Sequence, residues 1–202
     1  RKKAKFSEVF SKSHNVNWLS AARIFLFGAR DVWFVVGIPI YFYAVLSDGS
    51  KAGNYEAFFL IGTFMSFWII LYGVVQAMVP KLLQADSRSE RELVGATRNW
   101  GLILFLVLVT LAITSFFLQE NSFWLTQILV AGLAIFGAVF AVNSSLHSYL
   151  ILAFTQSERV TMDVGFYYMA NAAGRLLGTL LSGWTYQIGG LVGCLSTATL
   201  MV

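Results

Sequence analysis

Residues 123–154 read FWLTQILVAGLAIFGAVFAVNSSLHSYLILAF, a run from Phe123 to Phe154 with no Asp, Glu, Lys or Arg. The hydrocarbon layer of a bilayer is about 30 Å thick and a helix rises about 1.5 Å per residue, so about 20 mostly apolar residues cross it. A span over about 123–150 therefore leaves residues to spare. Its helix is expected either to extend into the cytoplasm or to break near Asn143, Ser144 and Ser145. Outward from this run, further apolar stretches cover Leu19 to Leu46, Ala57 to Val79, Trp100 to Leu118 and Val164 to Tyr186. The last begins near Ile188 and reaches Val202, fewer than the roughly 20 residues of a full crossing, so it reads as a helix cut inside its length. None of these runs alternates apolar and polar residues as a membrane barrel strand does. The expectation is an all-α integral membrane protein with six spans, at about 19–46, 57–79, 100–118, 123–150, 164–186 and 188–202, preceded by a cytoplasmic linker over 1–18.

Composition agrees. Hydrophobic residues make up 57% of the chain and charged residues 12%, against about a quarter charged in an average soluble domain. The formal charge of +4 does not signal nucleic acid, because the basic residues lie in short connections instead of clustering on one folded surface. Arg1, Lys2, Lys3, Lys5 and Lys12 precede the first stretch, Lys81, Arg88, Arg91 and Arg98 fill the second connection, and Arg159 lies in the fourth; the first, third and fifth connections hold Lys51 alone. Positive residues stay on the cytoplasmic side, which places both ends of the chain there, in the inner (plasma) membrane. The single cysteine, Cys194, excludes an internal disulfide framework or thiolate metal site. No cofactor or metal is called for. Residues 1–10 carry basic residues but no apolar core of a cleavable leader, and they read as an internal linker.

Formal charges inside the apolar stretches are confined to Arg23, Arg30, Asp31 and Arg175, each costly against lipid. Arg23 is near enough to the start of its helix to snorkel to the interface. Arg30 lies seven residues deeper on the same face, which is expected to line an aqueous cavity. Asp31 points roughly 100° away from Arg30, so it calls for a partner on another helix, or a proton. Transport and a structural ion pair both account for Arg30 and Asp31. Arg175 is midway along the fifth stretch, where snorkelling is hardest, beside Ala170, Gly174, Gly178 and Ser182, a small-residue stripe that lets another backbone approach. Its planar fork suits phosphate, carboxylate or arsenate oxygens, or a structural carboxylate. His147 can relay protons, since its ordinary pKa lies near neutrality, or serve as a hydrogen-bonded helix-end residue. Trp18, Trp100, Trp124, Tyr167 and Tyr168 read as interfacial anchors.

The segment Gly28-Ala29-Arg30-Asp31-Val32-Trp33-Phe34, with Ser145-Leu146-His147-Ser148-Tyr149 and the run from Gly165 through Asn171, Gly174 and Arg175 to Gly178, resembles the organoarsenical efflux permeases (ArsJ type) of the major facilitator superfamily, across nearly the whole chain. The resemblance implies the carboxyl-terminal six-helix half of such a fold, three helices plus three inverted, packed against a missing amino-terminal six-helix half around a central cavity. It further implies export of an arsenate ester of phosphoglycerate made by a glyceraldehyde-phosphate dehydrogenase, with Arg30, Asp31, His147, Asn171 and Arg175 as substrate or coupling residues. Trivalent arsenic wants paired thiolates, absent here, whereas an oxyanion wants guanidinium donors. The superfamily's Gly-rich loop bearing Asp and Arg would fall at Pro80 to Arg98, yet the sequence there opens Pro80-Lys81-Leu82-Leu83-Gln84 and departs from it. A permease for another phosphorylated or organic anion fits the same residues. A membrane-embedded enzyme would need paired aspartates for magnesium, or clustered basic residues with a nucleophilic His, and Asp31 is the sole acid inside a span. A non-transporting scaffold should tolerate loss of the buried charges.

Overall fold

The computed structural model describes residues 11–84, 87–118, 123–155 and 158–202, and among them every regular element is a helix. In chain order these are α1 (His14–Phe34), α2 (Gly37–Leu46), α3 (Lys51–Leu82), α4 (Glu90–Phe117), α5 (Phe123–Phe154) and α6 (Val160–Met201). Four segments, His14–Leu46, Lys51–Leu82, Glu90–Phe117 and Phe123–Phe154, are long and apolar enough to cross a membrane. Helix α6 is longer than any of them but falls short in apolarity, because Asp163, Asn171, Arg175 and Gln187 interrupt it.

Helix α1 already starts at His14, capped by the Ser13 hydroxyl, which accepts the Val16 N–H. The expected linker over 1–18 is therefore helical in its last part, while residues 1–10 lie outside the described residues. The first apolar stretch is not one continuous helix. It breaks at Val35 and Val36, and the cause is Pro39, whose ring lacks an N–H and occupies the space of the carbonyl four residues earlier, that of Val35. Helix α5 does the opposite: it runs unbroken through Asn143, Ser144 and Ser145 to Phe154.

In α6 the backbone departs from helical geometry at Gly189 and Gly190. Gly190 has φ 56° and ψ −149°, a combination that a side chain would strain. The chain then doubles back. Cys194 Sγ lies 3.5 Å from the Ser182 carbonyl, and a Cβ on Gly193 would stand 2.5 Å from the Thr185 carbonyl oxygen. The fifth and sixth stretches are thus Val160–Ile188 and Leu191–Met201 of a folded-back pair, the first starting four residues before the expected Val164.

Helix α1 lies along α6, while α5 carries α3 and α4, and α2 packs on α3 and α6. The α1–α6 seam uses the small-residue stripe. A Cβ on Gly174 would collide with the Ile24 backbone, and one on Gly178 would stand 2.6 Å from the Gly28 carbonyl oxygen. Ala170 and Ser182 complete the buried side. The α3–α5 seam is aromatic instead: Trp68, Tyr72, Phe136 and Phe140 interlock, with Phe34 of α1 against Trp68, and the Trp68 indole N–H donates to the Leu133 carbonyl at 2.8 Å. The opposite sides of α3 and α4 expose Phe58, Phe59, Phe67, Ile70, Leu102 and Leu106, a surface suited to lipid.

Candidate functional site

Two sequence neighbours and one distant residue meet on the α1–α6 seam. Asp31 is 1% exposed, and its carboxylate is shared. One oxygen accepts from Arg30 Nε at 2.6 Å and the other from Arg175 Nε at 3.2 Å. The interhelical partner that Asp31 called for is thus Arg175. The expectation that Arg30 and Asp31 would not neutralise each other side by side is corrected, because a long arginine stem bends back across the angle that separates adjacent residues on a helix.

The α1 face that carries Arg23 and Arg30 packs on protein and does not line an open cavity. Arg30 is pinned with its guanidinium carbon 4.8 Å from the Phe27 ring centre and 5.2 Å from that of Phe140. Arg23 does not snorkel. It is 3% exposed, because neutral acceptors of two other helices reach it: Nε donates to Asn171 Oδ1 at 3.3 Å and an Nη to the Ser144 carbonyl at 3.1 Å. Its guanidinium also lies 4.0 Å from the Phe27 ring centre and 4.9 Å from that of Tyr167. Phe27 thus lies against both arginines, four residues after one and three before the other, which is the spacing at which helical side chains meet. Such cation–π contacts offset part of the cost of taking a guanidinium out of water. Tyr167, expected as an interfacial anchor, is fully buried, whereas Tyr168, Trp18 and Trp124 are exposed.

Charge decides what this region favours. Arg23, Arg30 and Arg175 stand with one acid, Asp31, and no other carboxylate among the described residues is within ion-pair distance of them. Two positive charges are in surplus. An isolated buried charge is costly, so the site favours an anion over a cation. Only Arg175 is open to receive one: its side chain is 58% exposed, against 11% for Arg30.

His147 lies on a different surface from Arg30, Asp31 and Arg175. It is buried, its Nδ1 has no hydrogen-bond partner among the described residues, and it faces a groove of about 610 Å³ bounded by Ala22 and Leu26 of α1 and Thr97 and Arg98 of α4. Asn143, one turn earlier, faces the same groove, its Oδ1 also without a partner among the described residues. Neither Arg30, Asp31 nor Arg175 borders it. Sequence reasoning missed Ser144 and Phe27. The signal for Ser144 was available, a polar trio in a charge-free run, but its partners, Arg23 and Gln76, are remote in sequence.

No family model matches the chain, and no curated protein or solved structure matches it.

Proposed function

We propose that the chain is the carboxyl-terminal six-helix half of a major facilitator superfamily efflux permease, a secondary transporter that exports an anionic organoarsenical, an arsenate ester of phosphoglycerate, by alternating access. The observation that carries the reading is the charge surplus of Arg23, Arg30 and Arg175 over Asp31 in an apolar helical protein. A guanidinium fork pairs with two oxyanion oxygens at once, and Arg175 presents one from a buried anchor. The fold-back of α6 at Gly189 and Gly190, which divides it into two helices, is consistent with this reading. The arrangement supports a carrier: it offers donors for an anion, while Asp31 is held by two arginines. The functional partners in this reading are the amino-terminal half and a glyceraldehyde-phosphate dehydrogenase that makes the solute.

Export is tested by expressing the chain with a matching amino-terminal half in cells without other arsenic pumps and measuring efflux of the arsenical. Efflux should need both halves. Equal or better efflux of 3-phosphoglycerate would assign the carrier to phosphorylated anions instead. Orientation in the inner membrane follows from the basic connections. In a Cys194→Ser background, a cysteine at Ser50 should react with an impermeant thiol reagent from outside, and one at Ser89 should not; the reverse would invert the topology.

A further inference from the structure

The two arginines on Asp31 are held in different ways. Asp31 sits where α1 and α6 touch: a Cβ on Gly178 would stand 3.0 Å from the Asp31 Cβ and 2.6 Å from the Gly28 carbonyl oxygen. Asp31 is thus packed against the α6 backbone and 1% exposed. Arg30 is fixed as well, with a 2.6 Å bond, two aromatic rings beside it and little exposure. Arg175 has the longer bond, 3.2 Å, no ring among the described residues stacked on it, and a side chain more than half exposed. It holds Asp31 through Nε alone, so its Nη groups have no protein acceptor among the described residues. A long side chain attached to a fixed helix at one end, and to a fixed carboxylate by a single exposed contact at the other, is an arm that can change partners.

We propose that Asp31 is an internal competitor for the transported anion: an oxyanion takes Arg175 from Asp31, while Arg30 stays on Asp31 and keeps its buried charge compensated. This rests on the anion-carrier reading and sharpens it, since it makes Arg175 the residue that touches the solute and Arg30 a positioning residue. Before exchange, one carboxylate serves two guanidiniums. After exchange, Asp31 pairs with Arg30 and the oxyanion with Arg175, which gives each guanidinium its own acceptor. The carboxylate thereby sets affinity. Any oxyanion must outbid a ligand already in place, so the site binds more weakly than its two guanidiniums alone would, and a carrier that must also release its solute benefits from that weakening.

The test uses the chain assembled with a matching amino-terminal half and reconstituted in lipid nanodiscs, with 3-phosphoglycerate as the probe. The guanidinium Nε–H resonances of Arg175 and Arg30 are assigned by their loss in Arg175→Lys and Arg30→Lys. Saturating probe should shift the Arg175 resonance and leave that of Arg30 in place. Asp31→Asn should raise probe affinity about tenfold, and Arg175→Lys should lower it tenfold or more. Should Asp31→Asn not assemble, the two resonances of the unaltered chain decide alone. Equal shifts of both arginines, or a folded Asp31→Asn with unchanged or weaker affinity, would overturn the exchange while leaving an anion site at Arg175. Absence of probe binding to the two-half assembly and to every variant of it would overturn the anion-carrier reading and the exchange together.

Discussion

The α1–α6 and α3–α5 seams solve the same problem with opposite means. Between α3 and α5, large rings fill the space, and the Trp68 indole N–H among them is spent on the Leu133 carbonyl. Gly137 makes room for that indole, since a Cβ there would lie 2.9 Å from it. Between α1 and α6, the backbones touch at Gly174 and Gly178, and arginines and an aspartate stand beside these glycines. Rings alone would hold two membrane helices together. A seam that brings backbones this close and then lodges charges beside them carries a cost that apolar packing would not, which is what the proposed anion role would explain.

The largest expected effect comes from pushing that seam apart. Gly178→Leu puts a branched side chain where the Gly28 carbonyl stands 2.6 Å from a Cβ, and no rotamer change relieves a clash with backbone. Membrane abundance should fall to near background, measured by quantitative immunoblot against the parent. Normal abundance and melting would mean that the helices do not touch there.

Next is Asp31→Asn. It leaves Arg30 buried without its counter-charge, at a cost of about 3–5 kcal/mol for a fully buried pair, with Arg175 adding less because it is exposed and screened. The drop in melting temperature should be largely reversed by adding Arg30→Gln, since the double variant removes both charges. Failure of the second change to recover any stability would show that the pair is not coupled. The aromatic seam should respond less. Gly137→Ala crowds the Trp68 ring and should cost about 1–3 kcal/mol. Phe67→Leu, on the lipid side of the same helix, should stay within about 0.5 kcal/mol. If Phe67→Leu proved the more damaging, the inward and outward faces of α3 would be misassigned.

Much of this architecture was legible beforehand. The apolar runs set α3, α4 and α5, and the four-residue spacing of Ala170, Gly174, Gly178 and Ser182 marked the face that meets α1. Local sequence also held the break before α2, through Pro39, and the reversal of α6, through Gly189 and Gly190, although hydropathy alone passed over the first. What was not legible depends on contacts between distant residues. Arg23 near a helix start looks like a snorkelling residue until Ser144 and Asn171 arrive from two other helices to hold it. The polar trio in α5 looks like a break, yet Ser144 finds partners in Gln76 and Arg23, so the helix continues. For Arg30 and Asp31, angular separation on the helix was a poor guide because it ignores the reach of an arginine.

Whether the charges on the α1–α6 seam serve an anion is tested most directly by changing geometry without changing charge. Arg175→Lys keeps one positive charge and removes the two-pronged fork. In the assembled transporter, with export of the arsenical normalised to protein in the membrane, it should lower export about ten- to a hundredfold, the worth of a charge-assisted hydrogen bond, while abundance stays near that of the parent. Export and resistance equal to the parent from a well-expressed Arg175→Lys would contradict a binding role and leave the cluster as an ion pair that only holds two helices together.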